Sequence, residues 1–194
     1  MKELPRRLFH ICGGLMIPVA SLLARYDIFR TTLIIVTVIA IILDLLRLKS
    51  QKLNSTFIRI AGPLMRPTEV RRVNGSTYIL LSSTIVFLLF GKPIASTALI
   101  FLAIGDPVAG MVGTKWGRIK IGHKSLEGST AFLIAAFVAG ALLSGINHIP
   151  LHFIALGALS AAIVELLSLS INDNLTIPLI SGGVIMGLTY FFAG

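Results

Sequence analysis

The stretch that decides the fold is Ala103–Ser129, AIGDPVAGMVGTKWGRIKIGHKSLEGS, in which an apolar run ends at Gly-Asp-Pro and continues into a basic, glycine-rich segment. Apolar runs of the same kind recur along all 194 residues, of which 55% are hydrophobic and only 13% are charged. The mean hydropathy of +0.92 is far above that of a soluble domain. This composition predicts an all-α protein, a polytopic transmembrane helical bundle.

Seven segments of the chain are apolar and long enough to be predicted as membrane spans. The third and fourth are separated only by Gly91-Lys92-Pro93, which leaves room for a tight turn, so these two spans are predicted to form a helical hairpin. The first follows basic residues as a signal peptide does, and we interpret it as an uncleaved span. The seven segments are residues 8–24, 28–46, 75–90, 93–112, 128–146, 151–171 and 175–192.

The distribution of basic residues indicates the orientation in the membrane. If the N-terminus is cytoplasmic, 14 of the 17 Lys and Arg residues fall in segments predicted to face the cytoplasm, and only Arg25, Arg30 and Lys92 lie outside. This asymmetry follows the positive-inside rule and favours an odd number of spans. It also accounts for the formal net charge of +9, so we expect no nucleic-acid partner. The prediction is a multi-pass protein of the cell membrane whose site faces the cytoplasm.

The longest segment between predicted spans, residues 47–74, has apolar residues at helical spacing with polar residues on the opposite side. We predict a short amphipathic helix in the cytoplasmic interface, broken at Gly62-Pro63. Its role is either a basic surface anchor or a lid over a lipid entrance. The apolar positions are Leu53, Phe57, Ile60, Ala61 and Leu64.

Acidic residues within or beside the spans are the main indication of a functional site. Asp44, Asp106 and Glu165 lie in spans two, four and six. Each charged group at membrane depth costs about 2.5–3.5 kcal/mol unless it is paired or hydrated. In the predicted topology all three lie toward the cytoplasmic ends, on the same side as Glu127 and Asp173. We therefore expect these carboxylates to line one cavity that faces the cytoplasm.

Several of these acids also have a structural interpretation. Asp44 and Arg47 are three residues apart and could pair on one helix face. A hydrogen bond between packed helices would explain Glu165, and Asp173 could cap the last span. Asp106 is the hardest to explain structurally, because no basic residue lies near it on its own helix.

The glycines of the quoted stretch indicate an anion site. Asp106, Ala109, Gly113 and Gly117 share one helical stripe, and such small residues normally mark close helix contact. Close contact explains Gly117 and Gly128 poorly, because both extend into the basic loop. Glycine lets backbone N–H groups approach an anion, and a nearby carboxylate can hold a divalent cation that bridges phosphates. The stretch therefore predicts a site for a di- or triphosphate.

The quoted stretch resembles the signature of the CTP-dependent lipid-alcohol kinases, which include dolichol kinase, phytol kinase and CTP-dependent diacylglycerol kinase. More distantly it resembles CDP-diacylglycerol synthase. The segments ELPRRLFHICGG, DLLRL, RPTEVRRVNGSTYILL and ELLSLSINDNLTIPLISG are also similar to the kinase family, so the resemblance covers nearly the whole chain. The matching signature positions are Asp106, Ala109, Gly113, Gly117, Lys120, Lys124, Ser125, Glu127 and Gly128.

The resemblance implies a single integral membrane kinase domain over residues 1–194, with a nucleotide-binding motif at 105–129 and an interfacial loop at 47–74. It implies transfer of the γ-phosphate of CTP, with Mg²⁺, to the hydroxyl of an isoprenoid alcohol such as polyprenol, dolichol, phytol or geranylgeraniol. The predicted catalytic residues are Asp106, Glu165 and Asp173, and the predicted metal ligands are Asp106, Glu127 and Asp173. The predicted nucleotide-binding residues are Gly113, Lys115, Gly117, Lys120, Lys124, Ser125, Glu127, Gly128 and Asn174. The predicted lipid headgroup contacts are Arg7, His10, Asp44 and Arg47.

Three other functions stay open from the sequence. The acceptor could be diacylglycerol rather than an isoprenoid alcohol. The reaction could be cytidylyl transfer to a phospholipid, which attacks the α-phosphate of CTP. The chain could instead be a small ion-coupled transporter, in which the same acids relay ions. If the protein is a kinase, its predicted partners are CTP, a long-chain lipid alcohol and membrane lipids. The helix faces that carry small residues also permit a homodimer.

Overall fold

The computed structural model describes residues 3–65, 67–168 and 171–192, with side chains from His10 onward except at positions 64 and 67. Almost all of this chain is helical. The elements are α1 (Glu3–Leu23), α2 (Tyr26–Lys49), α3 (Gln51–Ala61), 3₁₀ turns at Gly62–Leu64 and Pro67–Arg71, α4 (Gly75–Trp116), β1 (Lys120–Ile121), β2 (Lys124–Ser125), α5 (Leu126–Asn147), α6 (Leu151–Leu167) and α7 (Asp173–Phe192).

Four helices of the described chain, α2, α4, α5 and α7, are long and apolar enough to cross a membrane. Two shorter apolar helices, His10–Leu23 and Leu151–Leu167, accompany them. The predicted all-α membrane bundle is therefore confirmed, while the number of spans stays a prediction.

Helix α4 is interrupted at Gly91, where φ is 71° and ψ is 177°. This backbone conformation is open to glycine and strained for other residues. A continuous helix would place Gly75 and Asp106 about 46 Å apart. Both residues instead line the same cavity, so the chain reverses at Gly91. The two arms of α4, residues 75–90 and 92–116, form the hairpin that the Gly-Lys-Pro turn predicts.

The core lies where the second arm of α4 packs between α5, α6 and α7. Phe101 is fully buried there, and a Cβ added at Gly140 or Gly157 would lie 2.6 Å or 3.2 Å from its ring. Phe132 of α5 fills the space beside Gly105 in the same way. Large side chains are thus paired with glycines on the facing helix, and close helix packing holds the second arm in place.

Helix α2 packs on the outside of the bundle. Three polar contacts hold it to the first arm of α4. The Tyr26 hydroxyl donates to the Phe87 carbonyl at 2.8 Å, and the Thr37 hydroxyl lies 3.2 Å from the Leu80 carbonyl oxygen and 2.7 Å from the Thr84 hydroxyl. The rest of the helix is largely apolar and exposed, which suits contact with lipid chains. The exposed apolar side chains are Ile28, Ile34, Ile35, Val36, Val38, Ile39, Ile42, Leu43, Leu45 and Leu46.

Helix α3 is the amphipathic segment predicted within residues 47–74. It ends at Ala61 and is followed by a 3₁₀ turn at Gly62–Leu64, so the break at Gly62-Pro63 is where the sequence predicts it. None of its residues is buried, and Leu53 and Ile60 are exposed. An amphipathic helix with its apolar residues exposed suits the membrane interface.

Asp44 and Arg47 form a buried ion pair that holds the segment after α3 against α2. The Arg47 guanidinium donates to the Asp44 carboxylate, to Asn54 Oδ1 at 3.0 Å and to the Arg72 carbonyl at 2.8 Å. The second oxygen of Asp44 accepts the Asn74 backbone N–H at 2.8 Å. The structural interpretation of the i, i+3 spacing therefore accounts for both residues.

Replacing Arg47 with methionine is expected to lower the stability of the fold by about 3–5 kcal/mol, because the Asp44 carboxylate would stay buried without its partner. Thermal unfolding of the purified protein in detergent measures this effect. The exposed Arg30 at the other end of α2, replaced in the same way, is the matched control. Equal melting temperatures for the two variants would contradict the proposed structural role.

Candidate functional site

A short β-hairpin connects α4 to α5 and carries Lys124. Strands β1 and β2 pair antiparallel, with Lys120 opposite Ser125 and Ile121 opposite Lys124. The two-residue turn between them begins at Gly122, where φ is 59°. Ser125 then caps α5, because its hydroxyl accepts the Gly128 N–H at 3.1 Å. The sequence analysis predicted no strands here, although a two-residue link that begins with glycine is a hairpin signal.

Three carboxylates from three helices surround the ammonium group of Lys124. Its Nζ donates to Glu165 Oε1 of α6 at 2.8 Å and to Asp173 Oδ2 of α7 at 3.0 Å. It also lies 3.9 Å from Asp106 Oδ1 of α4. The structure thus brings together the three acids predicted as catalytic. Asp106, Glu165, Asp173 and Lys124 are called the carboxylate cluster below.

Lys124 carries its positive charge at neutral pH. Burial by itself would lower the pKa of Lys124, but the charges of Asp106, Asp173 and Glu165 outweigh that effect and raise it. The cluster then has three carboxylates for one ammonium, which leaves an excess of negative charge. A site of this kind attracts a further cation.

Glu165 is the most constrained acid of the cluster. It is only 2% exposed, and both of its oxygens are hydrogen bonded, Oε1 to Lys124 and Oε2 to the hydroxyl of Ser129 at 2.5 Å. Ser129 lies one turn after the cap residue Ser125 and is itself buried. The sequence analysis did not select Ser129. Its only sequence signal is its place one residue after Glu127-Gly128.

Asp106 is held more loosely. One oxygen lies 3.9 Å from Lys124 Nζ and the other 3.8 Å from His10 Nε2, so both distances exceed a hydrogen bond. The Asp106 side chain is also more exposed than that of Glu165, at 14% against 3%. Of the three acids in the cluster, Asp106 is the one that accepts no hydrogen bond from Lys124, so its oxygens are available to accept a proton or bind a cation.

A cavity of about 880 Å³ extends from the carboxylate cluster into the bundle. Its lining combines charged and polar side chains with apolar side chains from α1, α2 and the first arm of α4. The charged and polar end includes His10, Glu69, Asn74, Ser76, Asp106, Thr114, Lys120, His123, Lys124, Ser125, Glu165, Ser168, Asp173 and Asn174. The apolar end is formed by Gly13, Gly14, Met16, Ile17, Val36, Ile79 and Leu80.

The predicted nucleotide-binding residues divide into two sets. Three of them do not line the cavity. Lys115 lies over the Trp116 ring at 4.6 Å, the carboxylate of Glu127 accepts the Ile119 N–H at 3.1 Å, and Gly117 packs against Ser125. Those that line the cavity are Gly113, Lys120, Lys124, Ser125, Gly128 and Asn174.

Close packing accounts for glycines that the sequence analysis assigned to anion approach. A Cβ added at Gly117 would lie 2.3 Å from the Gly113 carbonyl oxygen, and one at Gly128 would lie 2.9 Å from the Ala109 carbonyl oxygen. The expectation that helix contact explains Gly128 poorly is therefore wrong, whereas Gly117 follows the end of α4 and packs against the Ser125 side chain of the hairpin. Gly113 and Gly128 still line the cavity, so a role for them in phosphate binding stays a prediction.

The residues predicted to contact the lipid headgroup do not all lie in the same place. His10 lies at the charged end of the cavity beside Asp106, whereas Asp44 and Arg47 form their own buried pair and do not line it. The side chain of Arg7 lies outside the described residues. Helix α3 contributes no residue to the cavity lining, which favours the surface anchor over the lid as its role.

The predicted magnesium site can be compared with the side chains that could serve as its ligands. Among the described residues, no three His, Cys, Asp or Glu side chains are arranged as a metal cage. Mg²⁺ does not need one, because it commonly binds one or two carboxylates together with substrate phosphates and water. Asp106 and Asp173, on two sides of Lys124, fit that mode. Glu127 is turned toward Ile119, and its role as a ligand stays a prediction.

The structure adds cavity residues that the sequence analysis did not select individually. Asn74 caps α4, because its side chain accepts the Ser76 N–H at 2.9 Å, and Glu69 accepts the Gly75 N–H at 3.2 Å. The signal for Asn74 was available, since asparagine directly before an apolar helix is a preferred N-cap. His123 has no comparable signal, because only the hairpin turns it toward the cavity.

Comparison with known proteins finds relatives at about 30% identity over most of the chain. The chain is 30% identical to CTP-dependent diacylglycerol kinase 1 of Eremothecium gossypii over 92% of its own length and 65% of that protein. It is 29% identical to the Saccharomyces cerevisiae protein of the same name, over 92% of this chain and 71% of the relative. An uncharacterized Rickettsia prowazekii protein is 29% identical over 91% and 90% of the two chains. No family model and no solved structure matches the chain.

Proposed function

We propose that this chain, which belongs to the family of CTP-dependent lipid kinases, transfers the γ-phosphate of CTP to the hydroxyl group of a membrane lipid. The observation that carries the proposal is the single cavity, which joins a carboxylate cluster around Lys124 to an apolar end. A kinase acting on a lipid needs both environments within reach of one reacting hydroxyl. Because the chain spans about two thirds of the first relative's length, its complete activity is part of the proposal.

Diacylglycerol is the acceptor that we propose first. Relatives from Eremothecium gossypii, Saccharomyces cerevisiae and Schizosaccharomyces pombe are all named CTP-dependent diacylglycerol kinases. The isoprenoid alcohol predicted from the sequence rests on the signature resemblance alone. Polyprenol, dolichol, phytol and geranylgeraniol therefore become comparison substrates.

The nucleotide is proposed to enter at the polar end of the cavity. Lys120 and His123 are exposed and line that end, and Lys120 Nζ lies only 3.3 Å from the Gly113 carbonyl oxygen. Phosphates bound there would be flanked by Lys120 on the water side and by Lys124 on the inner side. Phosphoryl transfer depends mainly on such positioning and charge neutralisation.

Asp106 is proposed to accept the proton of the lipid hydroxyl. The lipid oxygen then forms a bond to the γ-phosphorus, the bond from that phosphorus to the β–γ bridging oxygen breaks, and CDP leaves. Glu165 is proposed as a positioning residue rather than a base, because both of its oxygens are already hydrogen bonded. Glu165 would hold the Lys124 ammonium group beside the position proposed for the transferred phosphate.

Asp106 and Asp173 are also the residues that would hold Mg²⁺ bound with CTP. When bound, the ion supplies charge neutralisation at the phosphates. The excess negative charge of the carboxylate cluster supports this part of the proposal. The asymmetry of basic residues supports a site on the cytoplasmic face of the cell membrane.

The test uses purified protein reconstituted in vesicles with diacylglycerol and CTP labelled at either the α- or the γ-phosphate. We expect the γ-label to appear in phosphatidate and the α-label to stay in CDP. In parallel vesicles that carry phosphatidate in place of diacylglycerol, label from the α-position in the lipid, with release of pyrophosphate, would instead indicate cytidylyl transfer. Absence of both labels from every acceptor in the panel, including the isoprenoid alcohols, would overturn the kinase proposal and leave the transporter reading. ATP in place of CTP is the control for the donor.

A further inference from the structure

The apolar end of the cavity opens at the outer surface of the bundle. Met16 of α1 and Val36 of α2 line the cavity and are nevertheless 67% and 43% exposed. A residue that is exposed and also lines the cavity marks an opening. The side chains next to Val36 on the surface of α2, Ile35 and Ile39, are exposed and apolar. This opening, called the α1–α2 mouth, therefore faces the surface expected to contact lipid chains.

The charged and polar part of the cavity lining also reaches the surface. Ser76, Lys120 and His123 are exposed residues of its lining. The cavity thus connects a water-facing opening that carries basic side chains with an apolar opening on the side of the bundle. A free nucleotide has no apolar group to place in the second opening, whereas a lipid alcohol has both a polar end and long chains.

The distance between the carboxylate cluster and the α1–α2 mouth suits a membrane lipid. His10, Gly13, Gly14 and Ile17 line the cavity from one face of α1. The seven helical steps from His10, beside Asp106, to Ile17 span about 10 Å along the helix. If the hydroxyl of a diacyl lipid lay at Asp106, the acyl chains of that lipid would therefore lie at the depth of the apolar opening.

We infer that the α1–α2 mouth is a lateral entrance and chain-binding subsite for the diacyl lipid acceptor. The lipid enters from the bilayer with its hydroxyl leading toward Asp106, and its acyl chains pass between Met16 and Val36. The identity of the acceptor rests on the proposed function. The subsite itself rests on the geometry of the cavity.

Two adjacent glycines in α1 have different roles beside this entrance. A Cβ added at Gly14 would lie 2.9 Å from the Cβ of Ala103, so Gly14 allows α1 to pack closely on α4. A Cβ added at Gly13 would meet nothing within 4 Å, although Gly13 lines the cavity. A larger residue at position 13 would therefore occupy space in the cavity without displacing a helix.

The test replaces Gly13 with leucine and labels the protein with a diacylglycerol that carries a photoreactive diazirine in one acyl chain. In wild-type protein in vesicles, we expect label on the segments that contain Met16 and Val36. In Gly13→Leu we expect about tenfold less label there, which corresponds to a loss of about 1.4 kcal/mol in binding. Gly145→Leu is the matched control, since Gly145 in α5 also has open space around it and does not line the cavity.

A second readout separates this inference from the proposed function. In the γ-phosphate assay, Gly13→Leu should raise the KM for long-chain diacylglycerol about tenfold and leave the KM for CTP unchanged. Labelling without any phosphate transfer in wild type would support the entrance and overturn the proposed reaction. Phosphate transfer with label on other helices, or with Gly13→Leu indistinguishable from Gly145→Leu, would overturn the entrance. The melting temperature of each variant shows whether it is folded.

Discussion

Replacing Asp106 with asparagine is expected to lower kcat for lipid phosphorylation about 10³-fold. The amide has the same shape, but it cannot accept the hydroxyl proton and is a weak ligand for a cation. The fold should be retained, because Asp106 contacts Lys124 and His10 only at 3.9 Å and 3.8 Å. Initial rates with γ-labelled CTP in vesicles measure the loss.

The control for this variant is Asp27→Asn, since Asp27 is an acidic residue in the first turn of α2, far along the chain from the cluster. Its rate should equal that of wild type. Near-normal transfer by Asp106→Asn would remove Asp106 from the reaction, and the remaining candidate for the base would be Asp173. A variant that neither transfers phosphate nor shows a cooperative melt would assign Asp106 to the fold instead.

Replacing Lys124 with methionine is expected to reduce both stability and activity. Its removal leaves Glu165 and Asp173 as neighbouring carboxylates without their shared partner, and loss of one partner from a buried pair costs about 3 kcal/mol or more. It also removes a charge beside the proposed phosphate position, for which we expect a fall in kcat of about 10²–10³-fold. Thermal melting and initial rates measure the two effects separately.

Lys115→Met is the matched control, because Lys115 lies in the same stretch but contacts the Trp116 ring outside the cavity. We expect its melting temperature and rate to be close to those of wild type. The account of the cluster would be contradicted if the two lysine variants behaved alike. It would also be contradicted if Lys124→Met melted at the wild-type temperature.

The sequence predicted that five acids would line one cavity, and three of them do, because topology places Asp106, Glu165 and Asp173 at the same ends of their helices. The other two, Asp44 and Glu127, do not line it. The sequence also predicted that the lysine- and glycine-bearing segment would meet these acids, but not that Lys124 itself would lie beside all three of them. That position depends on the β-hairpin and on how α6 and α7 pack against α4, and neither leaves a periodic signal in the chain. The i, i+3 spacing of Asp44 and Arg47 offered their pairing as one interpretation beside the predicted headgroup role, and the structure shows the pair.

The roles of individual glycines were beyond sequence reasoning for a similar reason. Gly13 and Gly14 are adjacent and of one residue type, yet only Gly14 faces a neighbouring helix. Gly117 and Gly128 were predicted to approach a phosphate, whereas Gly128 packs α5 closely against α4 and Gly117 packs against the Ser125 side chain. Contacts between segments that are distant in the sequence decide the role of each glycine. The residues that line the α1–α2 mouth could not be predicted for the same reason.

The most direct measurement is the position of a bound nucleotide, obtained from an experimental structure of the protein with Mg²⁺ and a non-hydrolysable CTP analogue. The account predicts that the terminal phosphates lie in the cavity between Lys120 and Lys124, with the metal ion bound by Asp106 or Asp173. A nucleotide bound elsewhere on the bundle, with Lys124 still enclosed by its three carboxylates, would contradict it.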